Sequence, residues 1–140
     1  MKNTIKEINR EVTIRDEFGI YQKGNLSGKV YSNDKVTINL KVMDKSFFSL
    51  ERSNFFDCLI DIRNSLAALN WIILCNGARK DVYPSGMGRQ MNKGLMAYQL
   101  TFGQAVAASD LVDIFQECPE ENIASPELQK VYFEEWFESF

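Results

Sequence analysis

The most regular pattern in the chain is an alternation of apolar and polar residues over positions 36–42. Val36, Ile38, Leu40 and Val42 alternate with Thr37, Asn39 and Lys41. A period of two residues is typical of a strand that packs one face on a core and turns the other toward water. The pattern therefore predicts a strand over 36–42.

The residues before this strand are less regular. Positions 4–15 mix polar and apolar residues, and they predict either a strand or a short helix followed by a strand. Between positions 19 and 29, the pairs Gly24-Asn25 and Ser27-Gly28 are turn-forming, so we expect turns there.

Two segments show the spacing of amphipathic helices. In the first, apolar residues recur at steps of four and three and so fall on one helix face. They are Phe55, Leu59, Ile62, Leu66 and Leu69. Ser53 or Asn54 can cap this helix, which should end near Asn70.

The second helix begins with Ser125, Pro126 and Glu127, which are a capping residue, a first-turn proline and a first-turn acid in the preferred order. The apolar residues that follow form a broad aromatic face. They are Leu128, Tyr132, Phe133, Trp136, Phe137 and Phe140. We expect most of them, Trp136 in particular, in the core; any excess would form an exposed contact surface.

The segment between the helices combines short apolar runs with a glycine-rich loop. Residues 71–75 (WIILC) predict a central strand buried on both faces, and residues 95–101 predict a further strand. Residues 105–115 are compatible with a helix or a strand. The loop 76–94 contains four glycines and a proline, with a turn expected at Pro84-Ser85-Gly86 and with Met87 and Met91 as core fillers.

These elements predict a single α+β domain over residues 1–140, with two helices packed on a mainly antiparallel sheet. A parallel strand–helix–strand crossover over 36–75 is the alternative. The 45% hydrophobic and 25% charged composition is that of a soluble globular domain. Because the first 12 residues lack the apolar stretch of a signal peptide and no apolar run reaches membrane-spanning length, we expect a cytoplasmic protein that does not contact membranes.

Charge is distributed unevenly along the chain. Residues 1–50 carry nine Lys/Arg and six Asp/Glu, whereas residues 104–140 carry nine Asp/Glu and only Lys130. The acidic third would repel phosphate, so nucleic acid is not expected as a partner. A basic protein would suit it, and a solvated helix face is the simpler alternative. The candidate acidic contact residues are Asp113, Glu117, Glu134, Glu135 and Glu138.

The chain offers little catalytic chemistry. It contains no histidine, which excludes a Ser-His-Asp triad and any histidine-ligated metal site. Cys58, Cys75 and Cys118 are widely spaced in apolar surroundings, and we expect them to be reduced and buried. We therefore predict no metal, no cofactor and no enzymatic activity.

The loop 76–94 also carries residues suited to binding anions. Arg79 and Arg89, together with Tyr83, could contact a carboxylate or phosphate. We expect the two arginines to converge on one side of the loop, where they meet either a partner or the acidic C-terminal elements of the chain itself.

The loop ARKDVYPSGMGRQMNKG and the tail ELQKVYFEEWFESF resemble stretches of the small acidic immunity proteins of contact-dependent inhibition systems. The resemblance extends to size, acidity and the missing catalytic apparatus. Members of those families bind one cognate toxin tightly and block its active site. The resemblance implies a cytosolic binding protein that neutralises a toxin domain, and the acidic tail suits a basic nuclease-type toxin.

Two alternatives remain open from the sequence. One is a small-molecule-binding domain or small enzyme that uses Arg79 and Arg89 to hold an anionic ligand in a pocket under the loop. The other is a subunit of a larger assembly that forms a homodimer through the aromatic helix.

Overall fold

The structure is a computed structural model that describes residues 2–140. The strands are β1 (Thr4–Arg15), β2 (Tyr21–Tyr31), β3 (Val36–Val42), β4 (Lys45–Phe48), β5 (Ile72–Ile73), β6 (Val82–Tyr83), β7 (Met96–Gln99) and β8 (Leu111–Asp113). The helices are α1 (Phe55–Ala67), α2 (Gly86–Met91) and α3 (Pro126–Phe137). Single 3₁₀ turns lie at Asn76–Ala78, Ala108–Asp110 and Glu120–Asn122.

The strands form two antiparallel sheets, so the α+β prediction is confirmed. The larger sheet has the order β4-β3-β2-β1-β5, and the smaller has the order β6-β7-β8. The parallel crossover is not formed, because β5 pairs with β1 in antiparallel register and does not lie beside β3. The short α2 adds a third helix to the two that the sequence predicts.

The first hairpin is the longest element of the larger sheet. Residues 4–15 form one continuous strand, and the carboxylate of Asp16 closes the turn by accepting from the main-chain N–H groups of Phe18 (2.9 Å) and Ile20 (3.0 Å). Gly19, with φ of 79°, adopts the left-handed conformation that this turn needs.

The two turns expected between 19 and 29 are wrong, because both glycine pairs lie inside β2. A Cβ on Gly24 would lie 3.0 Å from Cγ2 of Val42, and one on Gly28 would lie 2.7 Å from Cε1 of Phe55. These glycines are needed because side chains from β3 and α1 occupy the space above them.

Helix α1 packs on the larger sheet and contributes much of the core. It is capped by Asn54, whose side-chain oxygen accepts from the N–H of Asp57, as the capping pattern predicts. The residues on its buried face have almost no exposed surface. They are Phe55, Phe56, Cys58, Leu59, Ile62 and Leu66. Leu69, placed on the same stripe by the sequence, lies beyond the end of the helix and is 39% exposed.

The strand predicted at 71–75 is buried but shorter and less central than expected. Only Ile72 and Ile73 form a strand, which lies at an edge of the larger sheet, and Cys75 forms an isolated antiparallel bridge with Glu117. Both β1 and residues 116–118 bond to the end of the run: the main-chain N–H of Leu74 donates to the carbonyl oxygen of Thr13 at 2.9 Å, and the N–H of Cys118 donates to the carbonyl oxygen of Leu74 at 3.3 Å.

The loop 76–94 is mostly regular structure, with a 3₁₀ turn, β6 and α2 in succession. Ser85 caps α2 rather than forming an isolated turn, and its hydroxyl accepts from the N–H of Gly88 at 2.8 Å. Met87 and Met91 are 70% and 79% exposed, so their expected role as core fillers is wrong.

Helix α3 begins as the sequence predicts, with Ser125 as its cap and Pro126 in its first turn. It packs against β6 through the stacked rings of Tyr83 and Phe133, whose centroids are 4.4 Å apart. Trp136 is 7% exposed. The rest of the broad aromatic face is only partly in the core, because Leu128, Phe137 and Phe140 are exposed.

Candidate partner-binding surface

The outward face of α3 carries three glutamates that have no cationic partner. Glu134, Glu135 and Glu138 are all exposed. None of them forms an ion pair with any residue from 2 to 140. Their charge is therefore available to a partner.

Large apolar side chains flank these glutamates. Leu128 (55% exposed) and Val131 (48%) lie on α3, and Phe102 (48%) stacks on the ring of Tyr132 with centroids 4.7 Å apart. Phe137 (64%) and Phe140 (58%) extend the apolar surface past the helix end. We call this set the α3 surface: Phe102, Leu128, Val131, Glu134, Glu135, Phe137, Glu138 and Phe140.

The C-terminal end of α3 is fixed to the segment that follows β7. The indole N–H of Trp136 donates to the carbonyl oxygens of Thr101 and Gln104, both at 3.0 Å. The main-chain N–H of Gly103 donates to the hydroxyl oxygen of Ser139 at 2.7 Å. These bonds hold Phe102 beside the helix and so give the α3 surface a defined shape.

The N-terminal half of α3 is fixed by one buried amide. Gln129 is 1% exposed, and its side-chain nitrogen donates to the carbonyl oxygens of Gly77 (2.9 Å), Arg79 (2.8 Å) and Val82 (2.9 Å). Because an amide nitrogen has two hydrogens, one of them is shared between two carbonyls. Gln129 therefore holds the main chain at the start of the loop 76–94 against α3.

The other end of this amide meets a buried cation. The side-chain oxygen of Gln129 accepts from Nη1 of Arg63 at 2.8 Å, and Nη2 of Arg63 donates to the carbonyl oxygen of Ala124. Burial lowers the pKa of Arg63 to about 10, so the guanidinium remains charged at neutral pH. The bonds to amide and carbonyl oxygens compensate for the water that it has lost.

The sequence analysis missed both Gln129 and Arg63. A signal was present, since Gln129 lies three and four residues before Tyr132 and Phe133 and seven before Trp136, which places it on the buried side of the helix. A polar residue in the middle of an aromatic face predicts a buried hydrogen bond, although the sequence does not identify its partner.

Two of the acidic candidates lie away from α3 and have partners within the chain. Asp113 lies 3.5 Å from Arg10, and Glu117 lies 3.6 Å from Lys23 and also accepts from the hydroxyl of Thr13. That hydroxyl and the charge of Lys23 lower the pKa of Glu117. Much of the acidity of residues 110–120 is thus matched by basic residues of the first hairpin.

Arg79 and Arg89 form ion pairs with different carboxylates. Arg79 forms a bidentate ion pair with Asp81, in which Nε donates at 2.8 Å and Nη2 donates at 3.0 Å. These hydrogen bonds raise the pKa of the Arg79 guanidinium. Nη1 of Arg89 lies 3.3 Å from Asp57. Both pairs are internal, but neither carboxylate belongs to the acidic C-terminal third that the sequence analysis suggested.

The surroundings of Arg89 differ from those of Arg79. The Arg89 guanidinium lies 5.6 Å from the ring centre of Tyr83, whereas Tyr83 itself is half-buried between Phe56 and Phe133. Arg89 lines an open cavity of about 820 Å³ whose wall does not include Arg79. The two arginines therefore share no pocket.

The three thiols are buried and free of disulfide bonds, as expected. Burial raises the pKa of Cys75 to about 12 and the pKa values of Cys58 and Cys118 to about 11. Across residues 2–140, no group of three or more acidic or cysteine side chains is arranged to hold a metal ion. No helix in the same range is long and apolar enough to cross a membrane.

Comparison with known proteins gives no relative for this surface. No protein-family model matches the chain, and no curated protein sequence matches it either.

Proposed function

We propose that the chain is a cytoplasmic binding protein that neutralises a basic toxin domain by covering it with the α3 surface. The observation that carries the proposal is the combination of three unpaired glutamates with exposed aromatic and aliphatic side chains on one helix and its adjoining loop. Interfaces commonly place apolar anchors beside a charged rim, and aromatic residues are frequent among the anchors.

The charge of the α3 surface suits a basic partner. Glu134, Glu135 and Glu138 would attract such a domain over a distance of about 8–10 Å at physiological salt. Charges of this kind mainly raise the association rate and exclude partners of the wrong sign. A toxin nuclease, which itself binds phosphate, presents the complementary basic surface.

The fixed geometry of α3 also favours a binding role. The helix is held at its beginning by Gln129 and at its end by Trp136, so the exposed side chains lie on a rigid support. A preorganised surface loses less conformational entropy on binding than a mobile one. Catalysis by the chain is not part of the proposal, since the partner's active site is what would be blocked.

The proposal predicts a secreted-toxin gene immediately upstream of the gene for this chain, and the test is co-expression of the chain with the C-terminal domain of that toxin. We expect growth to be rescued and the two proteins to form a stable complex. In Glu134→Lys/Glu138→Lys, we expect the association rate at low salt to fall by about tenfold or more and its salt dependence to weaken. Association and dissociation rates would be measured at several salt concentrations with one of the two proteins immobilised on a sensor surface.

The matched control is Glu11→Lys/Asp44→Lys, which makes the same change in net charge at two exposed positions outside α3 that, like the α3 glutamates, form no ion pair with any described residue. Its association rate should stay close to that of the parent protein. Equal slowing by both variants would show that only net charge matters, and unchanged binding of the α3 variant would place the interface elsewhere. Failure to bind or to rescue growth would contradict the proposed function itself.

A further inference from the structure

One long edge of the larger sheet is left without a neighbouring strand. β1 pairs with β2 along its whole length, whereas on its other edge β5 covers only Ile14 and Arg15. The next contact on that edge is the N–H of Leu74 donating to the carbonyl oxygen of Thr13 at 2.9 Å. Within the part of the chain that the structure describes, no strand lies beside positions 4–12 on this edge.

The hydrogen-bonding register shows which main-chain groups face the open edge. The N–H of Asp16 donates to the carbonyl oxygen of Ile20, so the even-numbered residues of β1 bond to β2. The bond from Leu74 to Thr13 shows that the odd-numbered residues face the other way. The residues that direct N–H and C=O groups to the open edge are Glu7, Asn9 and Glu11.

The main-chain groups of these exposed residues are almost entirely without hydrogen-bond partners. All three residues are exposed. Of their main-chain groups, only the carbonyl oxygen of Asn9 receives a hydrogen bond from another described residue outside the ladder, from Nη1 of Arg10 at 3.3 Å. An open edge of this length is a template for a further strand.

We propose that the open edge of β1 binds an extended segment of another protein as an additional antiparallel strand. Main-chain hydrogen bonds would supply affinity, and the alternating side chains would supply specificity, as in other cases of strand addition. The proposal concerns a surface different from the α3 surface and does not depend on the function proposed above.

A second copy of the chain does not fit this edge. A symmetric antiparallel pairing centred on Ile8 places Lys6 of one copy opposite Arg10 of the other. Moving the centre of the symmetric pairing to Asn9 places Glu7 of one copy opposite Glu11 of the other. Like charges in directly opposed positions destabilise a sheet, so the edge disfavours self-pairing and selects a different chain.

The same charges describe the segment that would bind. Lys6 and Arg10 project from one face of β1, and Glu7 and Glu11 project from the other. Two of these charges also have a partner within the chain: Arg10 lies 3.5 Å from Asp113 and Glu7 lies 3.7 Å from Lys29, but the side chains of Arg10 and Glu7 remain 40% and 52% exposed. A complementary strand carries a basic residue followed by an acidic one, and it repeats this pair four positions later.

The experiment uses two capped peptides of identical composition. VKETVKETV places Lys opposite Glu7 and Glu11 and Glu opposite Lys6 and Arg10 when it binds antiparallel to β1. VEKTVEKTV places like charges at all four positions. Binding would be followed by NMR titration of the isotope-labelled protein.

We expect the first peptide to shift the amide signals of Glu7, Asn9 and Glu11 and to bind at least about tenfold more tightly than the second, because four cross-strand charge pairs change sign. Asn9→Pro removes the central N–H of the open edge and breaks no hydrogen bond between β1 and β2. This variant should not bind the peptide. Should this variant not fold, Glu7→Lys/Glu11→Lys decides the matter, since it should remove the preference between the peptides.

Three results would overturn the proposal. They are no binding of either peptide at millimolar concentration, equal binding of both, or shifts centred outside β1. Glu134→Lys/Glu138→Lys serves as the control and should bind the peptide like the parent protein. The outcome at β1 is therefore read separately from the outcome at the α3 surface.

Discussion

Replacing Gln129 with leucine should destabilise the protein far more than its single uncharged amide suggests. The substitution removes the acceptor for a buried guanidinium, a charged hydrogen bond that contributes about 1.5–3 kcal/mol. It also removes the two N–H donors that three carbonyl oxygens share, at about 1 kcal/mol for each donor lost. We expect a loss of about 3–5 kcal/mol in the free energy of unfolding.

Urea denaturation followed by circular dichroism would measure this loss, and the melting temperature should fall by about 10–20 °C for a domain of this size. Lys130→Leu, at the next and exposed position of α3, is the matched control and should change stability by less than about 0.5 kcal/mol. A loss below about 1 kcal/mol for Gln129→Leu would refute the reasoning, because the amide would then not be essential to these groups.

The double variant Arg63→Met/Gln129→Leu tests the cause. If the cost arises from leaving a buried cation without its acceptor, removing the cation as well should restore part of the stability, because replacing both partners with apolar groups is often close to neutral. A double variant that loses the full sum of the two single losses would show that the two side chains act independently.

Three further predictions concern stability and reactivity. Trp136→Ala should cost about 3–5 kcal/mol because the indole is buried and shares its single N–H between two carbonyl oxygens, and a melting temperature within about two degrees of the parent would contradict this. The hydrogen bonds from Arg52 lower the pKa of Asp61, so this pair stabilises the fold above about pH 4 and loses its effect as the pH falls through the lowered pKa. Asp61→Asn should therefore flatten the acid side of a plot of stability against pH. An unchanged plot would count against this prediction. The three buried thiols, whose pKa values are raised to about 11–12, should react with iodoacetamide at pH 8 only in denaturant, and rapid labelling of the native protein would show otherwise.

The sequence predicted those strands and helices whose signal lies entirely within the element itself. The strand over 36–42 follows from its alternation, and the start of α3 follows from Ser125 and Pro126. Gly24 and Gly28 misled the prediction because a glycine is required at these positions by side chains, distant in the sequence, that fill the space above β2. Local turn propensity cannot report such a contact.

The candidate site was also predictable only where it depends on residues close together in the sequence. The unpaired state of Glu134, Glu135 and Glu138 agrees with the acidity of the tail, but Asp113 and Glu117 have partners on strands about a hundred residues away. The pairs made by Arg79 and Arg89 likewise depend on where the chain places Asp57 and Asp81. Charge counts along a sequence do not distinguish a satisfied carboxylate from a free one.

The ion pairs between the first hairpin and residues 113–120 bear on the order in which the protein folds. Thr13 bonds to a carboxylate 104 positions later, and Arg15 bonds to one 105 positions later. During synthesis the hairpin must therefore wait for most of the chain before the side chains of Thr13 and Arg15 find their partners. Contacts of such high sequence separation are typical of slow folding, and added salt should slow the final docking step further by screening the attraction.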